Sequence, residues 1–165
     1  MFFGYICIIK INDMYQALIF LHSTLRWFVL LSLIFSIFRA CKGYFNKADF
    51  SQTDNGLRHW TATIAHIQLM IGITLYTQSP VIKYFWNNFD EAAKNMEFLF
   101  FGLFHMVLML IAIIILTIGS ALAKRKPTDQ QKFKVMLIYF SVALFLIFLA
   151  IPWPFSPLAQ RPFFR

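Results

Sequence analysis

The sequence has few charged residues and lacks the motifs of the common soluble enzymes. Only 13% of its 165 residues are charged and 59% are hydrophobic, whereas an ordinary soluble domain is about one quarter charged. It contains no CxxCH or paired CxxC sequence, no phosphate-binding glycine loop, no HExxH zinc motif and no serine-nucleophile motif. These absences exclude an ordinary soluble domain and give hydrolytic or nucleotide-driven chemistry no support.

Cysteine is also scarce, and the positive charge is localised. Cys7 and Cys41 lie before and after the first apolar run, so we expect them on opposite sides of a membrane, and no disulfide framework is predicted. The net charge of +8 does not indicate a nucleic-acid partner, because the basic residues cluster in two short loops beside apolar runs. The expected surroundings are membrane lipid.

Four apolar runs predict an all-α, integral membrane four-helix bundle. The runs cover about 15–40, 58–79, 97–123 and 133–153. None has the alternating pattern of a strand, and helices satisfy every backbone group in lipid. We predict a single transmembrane domain over 14–165, preceded by a short segment, 1–13, to which no structure is assigned. Met14 is a second candidate start.

The distribution of lysine and arginine predicts the orientation. The loops between runs one and two and between runs three and four are basic, whereas the middle loop is balanced by acidic residues. The first basic loop holds Arg39, Lys42, Lys47 and Arg58. The positive-inside rule then places both termini on the outer, periplasmic side of a bacterial inner membrane. We interpret the basic loops as setting this topology rather than binding a partner.

Two polar residues interrupt the first apolar run. His22 and Arg26 are four residues apart, so a helix places them on one face, about one turn from each other. An ionisable group inside a transmembrane helix costs about 2.5–3.5 kcal/mol on insertion scales and marks a functional site by default. We expect this face to point into the bundle, with Arg26 contacting a haem propionate, a quinone carbonyl or Glu97.

All four histidines lie in or at the edge of the apolar runs. In the predicted topology His22 and His105 lie at the same depth, about 10–12 Å below the outer boundary, and His66 lies about 12 Å from the inner one. A b-type haem in a bundle takes two imidazoles at one depth. The predicted ligand pair is therefore His22 with His105, and the alternative is His22 with His66. His59 and His66 are too far apart along one helix to share an iron.

Other residues in the second and third runs support this site. Gly102 is expected to make room for a macrocycle beside His105, and Met106 and Met109 can fill irregular space around it. The second run carries a polar stripe at spacings of three and four, which we expect to face other helices and to form interhelical hydrogen bonds. The stripe consists of His59, Thr63, His66, Met70, Thr74 and Thr77.

Four segments, HSTLRW, HIQLMIGITLY, FHMVLML and IPWPF, together resemble small four-helix bacterial integral membrane proteins labelled cytochrome b-like. The resemblance extends over nearly the whole chain after Met14. It implies that His22, His66 and His105 contact haem, with Arg26 beside the first of them. Three such histidines depart from the four of transmembrane di-haem cytochromes, so we expect one haem.

The leading hypothesis is a membrane-embedded b-type cytochrome subunit that binds one haem b and passes electrons within the membrane. Its expected partners are a quinone or a larger respiratory complex. The alternative is a cofactor-free structural or accessory subunit whose polar face binds a partner helix. A third hypothesis, a proton or metal pathway through His66 and His59, is less favoured because the interiors of the apolar runs contain no carboxylate.

Overall fold

The structure, a computed structural model, describes residues 2–156, 159, 161 and 162, and only the backbone of residues 2–12. The regular secondary structure of this part of the chain is helical. Its elements are α1 Phe2–Phe45, α2 Gln52–Gln78, α3 Pro80–Asn87, α4 Phe89–Ala92, α5 Met96–Leu99, a π-helical turn Phe100–Phe104, α6 His105–Arg125 and α7 Asp129–Ala150. The segment left unassigned by sequence, from residue 2 to residue 13, continues the backbone of α1.

Three helical segments are long and apolar enough to cross a membrane. They are Asp13–Phe45, Met96–Arg125 and Asp129–Ala150, and they indicate a multi-pass membrane protein. Helix α2 has 27 residues, a length of about 40 Å at 1.5 Å per residue, but it is not among these three segments. A crossing by α2 therefore stays a prediction.

The four long helices pack into a closed bundle. Helix α6 packs against α7, α7 against α1, α1 against α2, and α2 against α6. The core between them is filled by fully buried apolar side chains, including Leu33, Leu116 and Phe140. Glycines allow close contacts at two crossings, because a Cβ at Gly43 or Gly119 would collide with an aromatic side chain of α7.

A line of polar contacts joins residues 22–39 of α1 to residues 54–68 of α2, and we call it the polar seam. Its contacts are Arg39 with Asp54, the Ser36 hydroxyl with the Thr61 hydroxyl at 2.8 Å, and the Gln68 amide with the main-chain oxygen of His22 at 2.8 Å. In an apolar bundle each of these groups needs a partner, because an unpaired buried polar group costs about 1–3 kcal/mol. The seam therefore fixes the register of the two antiparallel helices.

The strongest contact of the polar seam is at Asp54, which is only 1% exposed. Its Oδ1 accepts from Nε and Nη2 of Arg39 at 3.0 and 2.8 Å, and its Oδ2 accepts from the Ser51 hydroxyl at 2.7 Å. Ser51 in turn caps α2 by accepting from the Asp54 amide. Burial alone would raise the pKa of the Asp54 carboxyl, but the hydrogen bonds from Ser51 and Arg39 outweigh it and lower the pKa.

Arg58, which the charge count assigned to a loop, lies inside the bundle. It is 5% exposed, and its Nη1 donates to the main-chain oxygen and the hydroxyl of Ser120 at 2.9 and 2.6 Å. Its Nε and Nη2 both donate to the Asn55 side-chain oxygen. Arg58 therefore links α2 to α6 through neutral acceptors instead of marking a solvent-exposed turn.

Most of the polar stripe predicted on α2 does not face the other helices of this chain. His59, His66, Met70 and Thr77 are exposed, and Thr63 bonds to a carbonyl of its own helix at 3.0 Å. The inward face of α2 instead carries its buried residues, which are Asp54, Arg58, Thr61, Ala62 and Ala65. The expectation is therefore met at His66, which hydrogen-bonds to Thr117 of α6, and not at the other stripe residues, because small side chains and the seam partners take the inner positions.

Replacing Asp54 by Asn should destabilise the fold at neutral pH. The change weakens charge-assisted hydrogen bonds to a buried carboxylate, so we expect the free energy of unfolding to fall by about 1–3 kcal/mol at pH 7. The pKa of Asp54 is lower in the folded state, so its stabilisation is complete above the unfolded value of about 3.9 and is lost as pH falls through the folded value. Thermal unfolding in detergent at pH 7 and at about pH 3 measures both effects.

Asp129→Asn is the matched control for this experiment. Asp129 pairs with Lys132 in the first turn of α7, where both side chains are partly exposed, and pairs in contact with solvent add little to stability. The wild type and the Asp54→Asn variant should differ in stability at pH 7 and converge in acid. An equal loss for both substitutions, or a difference that does not shrink in acid, would contradict the assignment.

Candidate functional site

A cavity of about 260 Å³ lies between α1, α2, α6 and the segment that follows α7. Most of its wall is apolar, with His22, Arg26, Gln68 and His105 among its polar lining residues. Arg26 and Arg161 are the charged side chains of this lining, and none of the described residues that line it is Asp or Glu. The cavity is therefore an apolar space with positive charge at its wall.

The structure brings the predicted pair, His22 and His105, together in this cavity. Their ring centres are 6.4 Å apart and their planes are inclined at 71°. Two imidazoles bound to opposite sides of one metal have ring centres about 6 Å apart, since each nitrogen lies about 2 Å from the metal and about 1 Å from its ring centre. The spacing of the two rings therefore suits a shared metal ion.

A carbonyl group fixes the protonation of His105. Its Nδ1 lies 2.7 Å from the main-chain oxygen of Ala150, the last residue of α7. A carbonyl oxygen only accepts, so Nδ1 carries the proton and Nε2 of the neutral ring has a free lone pair. Metal-bound histidines are commonly held in this way, with the second ring nitrogen donating to a carbonyl or carboxylate.

The backbone widens immediately before His105. Residues Phe100–Phe104 form a π-helical turn, a geometry found often at functional sites. Gly102 within it was expected to make room for a cofactor, but a Cβ there would collide with the fully buried ring of Phe85. The expectation is wrong, because Gly102 accommodates α3. Its carbonyl also accepts from the Tyr76 hydroxyl at 2.8 Å.

Gly72 is the glycine that lies against the histidine pair. A Cβ added to it would lie 3.2 Å from Cε1 and 3.7 Å from Nδ1 of His22. A larger residue at this position would therefore press on the imidazole. Because Gly72 has no side chain, α2 can lie close to the His22 ring in the cavity wall.

The two arginines of the cavity have different surroundings. The Arg26 guanidinium lies 5.4 Å from the centre of the Trp27 ring. Arg161 forms an ion pair with Glu97 and lies 4.8 Å from the centre of the Phe101 ring. Glu97, which the sequence suggested as a partner for Arg26, thus pairs with Arg161. Both arginines are among the residues that line the cavity.

His66 and His59 lie elsewhere. His66 is exposed and its Nε2 lies 3.0 Å from the Thr117 hydroxyl, which donates its single proton to the Ile113 carbonyl at 2.6 Å. His66 Nε2 must therefore be the donor. Neither His66 nor His59 lines the cavity, so the structure does not bring His66 to His22.

Two cavity residues on α2 were missed by the sequence analysis. Gln68 and Tyr76 lie four residues before and after Gly72, and all three line the cavity. This second stripe, at a spacing of four residues, was a usable signal. The sequence analysis instead predicted that the more polar stripe, which includes His66, faces inward.

The described residues contain no cluster of three or more His, Cys, Asp or Glu side chains that could hold a metal ion. No protein-family model matches the chain, no curated protein matches it, and no solved structure matches it. Functional inference therefore rests on the cavity and its histidine pair.

The histidine tautomers are open to measurement. His105 should have its proton on Nδ1, because that atom faces a carbonyl, and His66 should have its proton on Nε2, because Thr117 has no proton left to donate. Two-dimensional NMR of ¹⁵N-histidine-labelled protein in detergent distinguishes the two forms.

Single His→Gln variants assign the signals, and Thr117→Val serves as a local control. Loss of the Thr117 hydroxyl should alter the signals of His66 and leave those of His105 unchanged. The arrangement would be refuted by an Nε2-protonated His105 or by an Nδ1-protonated His66.

Proposed function

We propose that the chain is a membrane-embedded b-type cytochrome subunit that binds one haem between His22 and His105 and passes electrons within the membrane. The single observation that carries this proposal is the His22–His105 pair, 6.4 Å apart in one cavity. The carbonyl that holds His105 Nδ1 at 2.7 Å supports it, because it leaves Nε2 for a metal.

The donor set fits haem. Two imidazoles alone do not complete the coordination of an iron ion. The described residues contain no group of three or more His, Cys, Asp or Glu side chains that would supply further ligands. A porphyrin would supply the remaining nitrogen ligands of the iron, so two histidines would suffice to hold it. When bound, haem would supply a one-electron redox couple. The role of the protein would be to hold and orient the haem.

The cavity is small for a haem group. At about 260 Å³, it lies just below the usual range of about 300–1,000 Å³ for ligand pockets. Lining side chains must therefore move to admit a macrocycle. Met106 and Met109 belong to the lining, and the unbranched, flexible side chain of methionine adapts readily to such a change.

Positive charge at the cavity wall suits the two propionates of haem. Arg26 is one helical turn from His22 and lines the same cavity, as does Arg161. A guanidinium group binds a carboxylate through paired, charge-assisted hydrogen bonds and keeps its charge when buried. We assign to Arg26 the orientation of the propionate side of the ring.

The proposal also includes four transmembrane crossings, with both termini on the outer side of a bacterial inner membrane. Helix α2 completes the bundle between α1 and α6, which supports a fourth crossing. Basic residues flank the α1–α2 and α6–α7 turns at one end of the bundle, which supports both termini on the outer side of a bacterial inner membrane. A quinone or a larger respiratory complex would exchange electrons with the subunit inside the membrane.

A second function is favoured by a separate observation. The outer face of α2 exposes His59, His66 and Thr77, and exposed polar side chains at membrane depth are unfavourable in lipid. A structural or accessory subunit that binds a partner helix on this face would cover them. In that case His22 and His105 would serve packing alone.

The test is haem binding by the purified protein. Expressed with ample haem precursor and purified in detergent, it should give a reduced-minus-oxidised b-type spectrum and about one extractable haem per chain. His22→Ala and His105→Ala should each lose this spectrum, because one axial ligand is removed. Visible spectroscopy and haem extraction measure the result.

Matched controls lie on α2. His59→Ala and His66→Ala change histidines outside the cavity and should keep the spectrum. Gly72→Leu should reduce the haem content by crowding His22, whereas Gly56→Leu, at a position with nothing within 4 Å of its Cβ, should not. A wild-type protein without haem would favour the accessory subunit. A spectrum unchanged in both cavity-histidine variants would remove the ligand assignment.

A further inference from the structure

Two buried polar atoms near the His22 side of the cavity have no hydrogen-bond partner within the described part of the chain. They are Nδ1 of His22 and Oε1 of Gln68. Leaving such an atom unpaired costs about 1–3 kcal/mol. The two atoms are complementary, because an amide oxygen only accepts and an imidazole Nδ1 can carry a proton.

The orientation of the Gln68 amide is fixed by its other end. Its Nε2 donates to the main-chain oxygen of His22 at 2.8 Å, and a carbonyl oxygen cannot pair with Oε1. Exchanging the two amide atoms would therefore break this contact. Oε1 is thus held close to His22 as an acceptor.

The His22 ring turns its Nδ1 edge toward the same helix. A Cβ at Gly72, one turn beyond Gln68 on α2, would lie 3.2 Å from Cε1 and 3.7 Å from Nδ1. The opposite nitrogen, Nε2, is not on this edge. His22 therefore differs from His105 in one respect: the Nδ1 of His105 has its carbonyl acceptor at 2.7 Å, and that of His22 has none among the described residues.

We infer that Gln68 is the positioning residue of His22, with its Oε1 accepting the proton on Nδ1 so that Nε2 is left for the metal. This contact requires a turn of the imidazole about its Cβ–Cγ bond, with the bond from Gln68 to the His22 backbone kept. The role of His22 as a ligand rests on the proposed function. The Gln68–His22 contact and the tautomer that it selects do not.

With this contact, the Nδ1 protons of the two proposed ligand histidines have different hydrogen-bond acceptors. The Nδ1 proton of His105 goes to a backbone carbonyl, and that of His22 goes to a side-chain amide on another helix. An acceptor on the second ring nitrogen fixes the ring orientation and raises the basicity of the ligand nitrogen, and a carboxylate does so more strongly than a neutral group. Position 68 therefore influences the redox potential of a bound haem.

The first experiment uses the haem-free protein in detergent. In ¹⁵N-histidine NMR spectra, wild-type His22 should carry its proton on Nδ1, and Gln68→Leu should move it to Nε2 by removing the acceptor. Gln68→Glu loses the amide donor to the His22 main-chain oxygen but keeps an oxygen acceptor, and it should restore the Nδ1 form. Thr63→Val, which removes a hydroxyl bonded within its own helix at 3.0 Å, is the control and should match the wild type.

The second experiment uses haem-loaded protein. Redox titration should give a lower midpoint potential for Gln68→Glu than for the wild type and a higher one for Gln68→Leu, with Thr63→Val unchanged. A purely structural role would not shift the two variants in opposite directions.

The outcomes separate the two proposals. A wild-type protein that binds no haem overturns the cytochrome function, while the NMR result still decides the role of Gln68. A wild-type protein that binds haem, with the same His22 tautomer in the wild type and in Gln68→Leu, overturns the role of Gln68 and leaves the function standing. Potentials that do not separate overturn the redox influence of position 68.

Discussion

Polar groups inside an apolar bundle must pair with each other, and this constraint fixes how α1 meets α2. The polar seam begins at Arg39 and Asp54 at one end and reaches the backbone of His22 through Gln68. Because one face of α1 carries both the seam and the pair His22 and Arg26, the contacts that hold the helices in register also turn the site inward. The register of the two helices and the position of the candidate site thus depend on the same face of α1.

The sequence predicted the long helices and missed what lies between them. Apolar runs of about 20 residues are a strong signal for helices in lipid, so α1, α6 and α7 were found. Helix α2 is weaker by hydropathy, since its sequence contains Asp54, Arg58, two histidines and several glutamine and threonine residues. The short helices from α3 to α5 and the π-helical turn depend on tertiary packing, above all of Phe85 against Gly102, and local composition does not encode that contact.

The candidate site was predictable where a helical spacing or a common depth applied. The four-residue spacing of His22 and Arg26 and the level placement of His105 were sufficient to bring these three to one cavity. Gln68 was missed because α2 has two polar stripes, and periodicity alone does not say which one faces inward. Only the contact of Gln68 with α1 shows which stripe faces inward. That contact depends on the polar seam rather than on the polarity of α2 itself.

The charge distribution of the cavity also bears on the competing mechanisms. A path for protons or metal cations needs groups that stabilise positive charge, yet the charged residues of the described lining are Arg26 and Arg161, and the one carboxylate beside them, that of Glu97, is paired with Arg161. His66 and His59, the residues on which such a path would depend, lie outside the cavity, and His66 donates its Nε2 proton to Thr117. Attraction in a space of low dielectric instead favours a ligand with an apolar body and anionic ends, which is the chemical character of haem and its propionates.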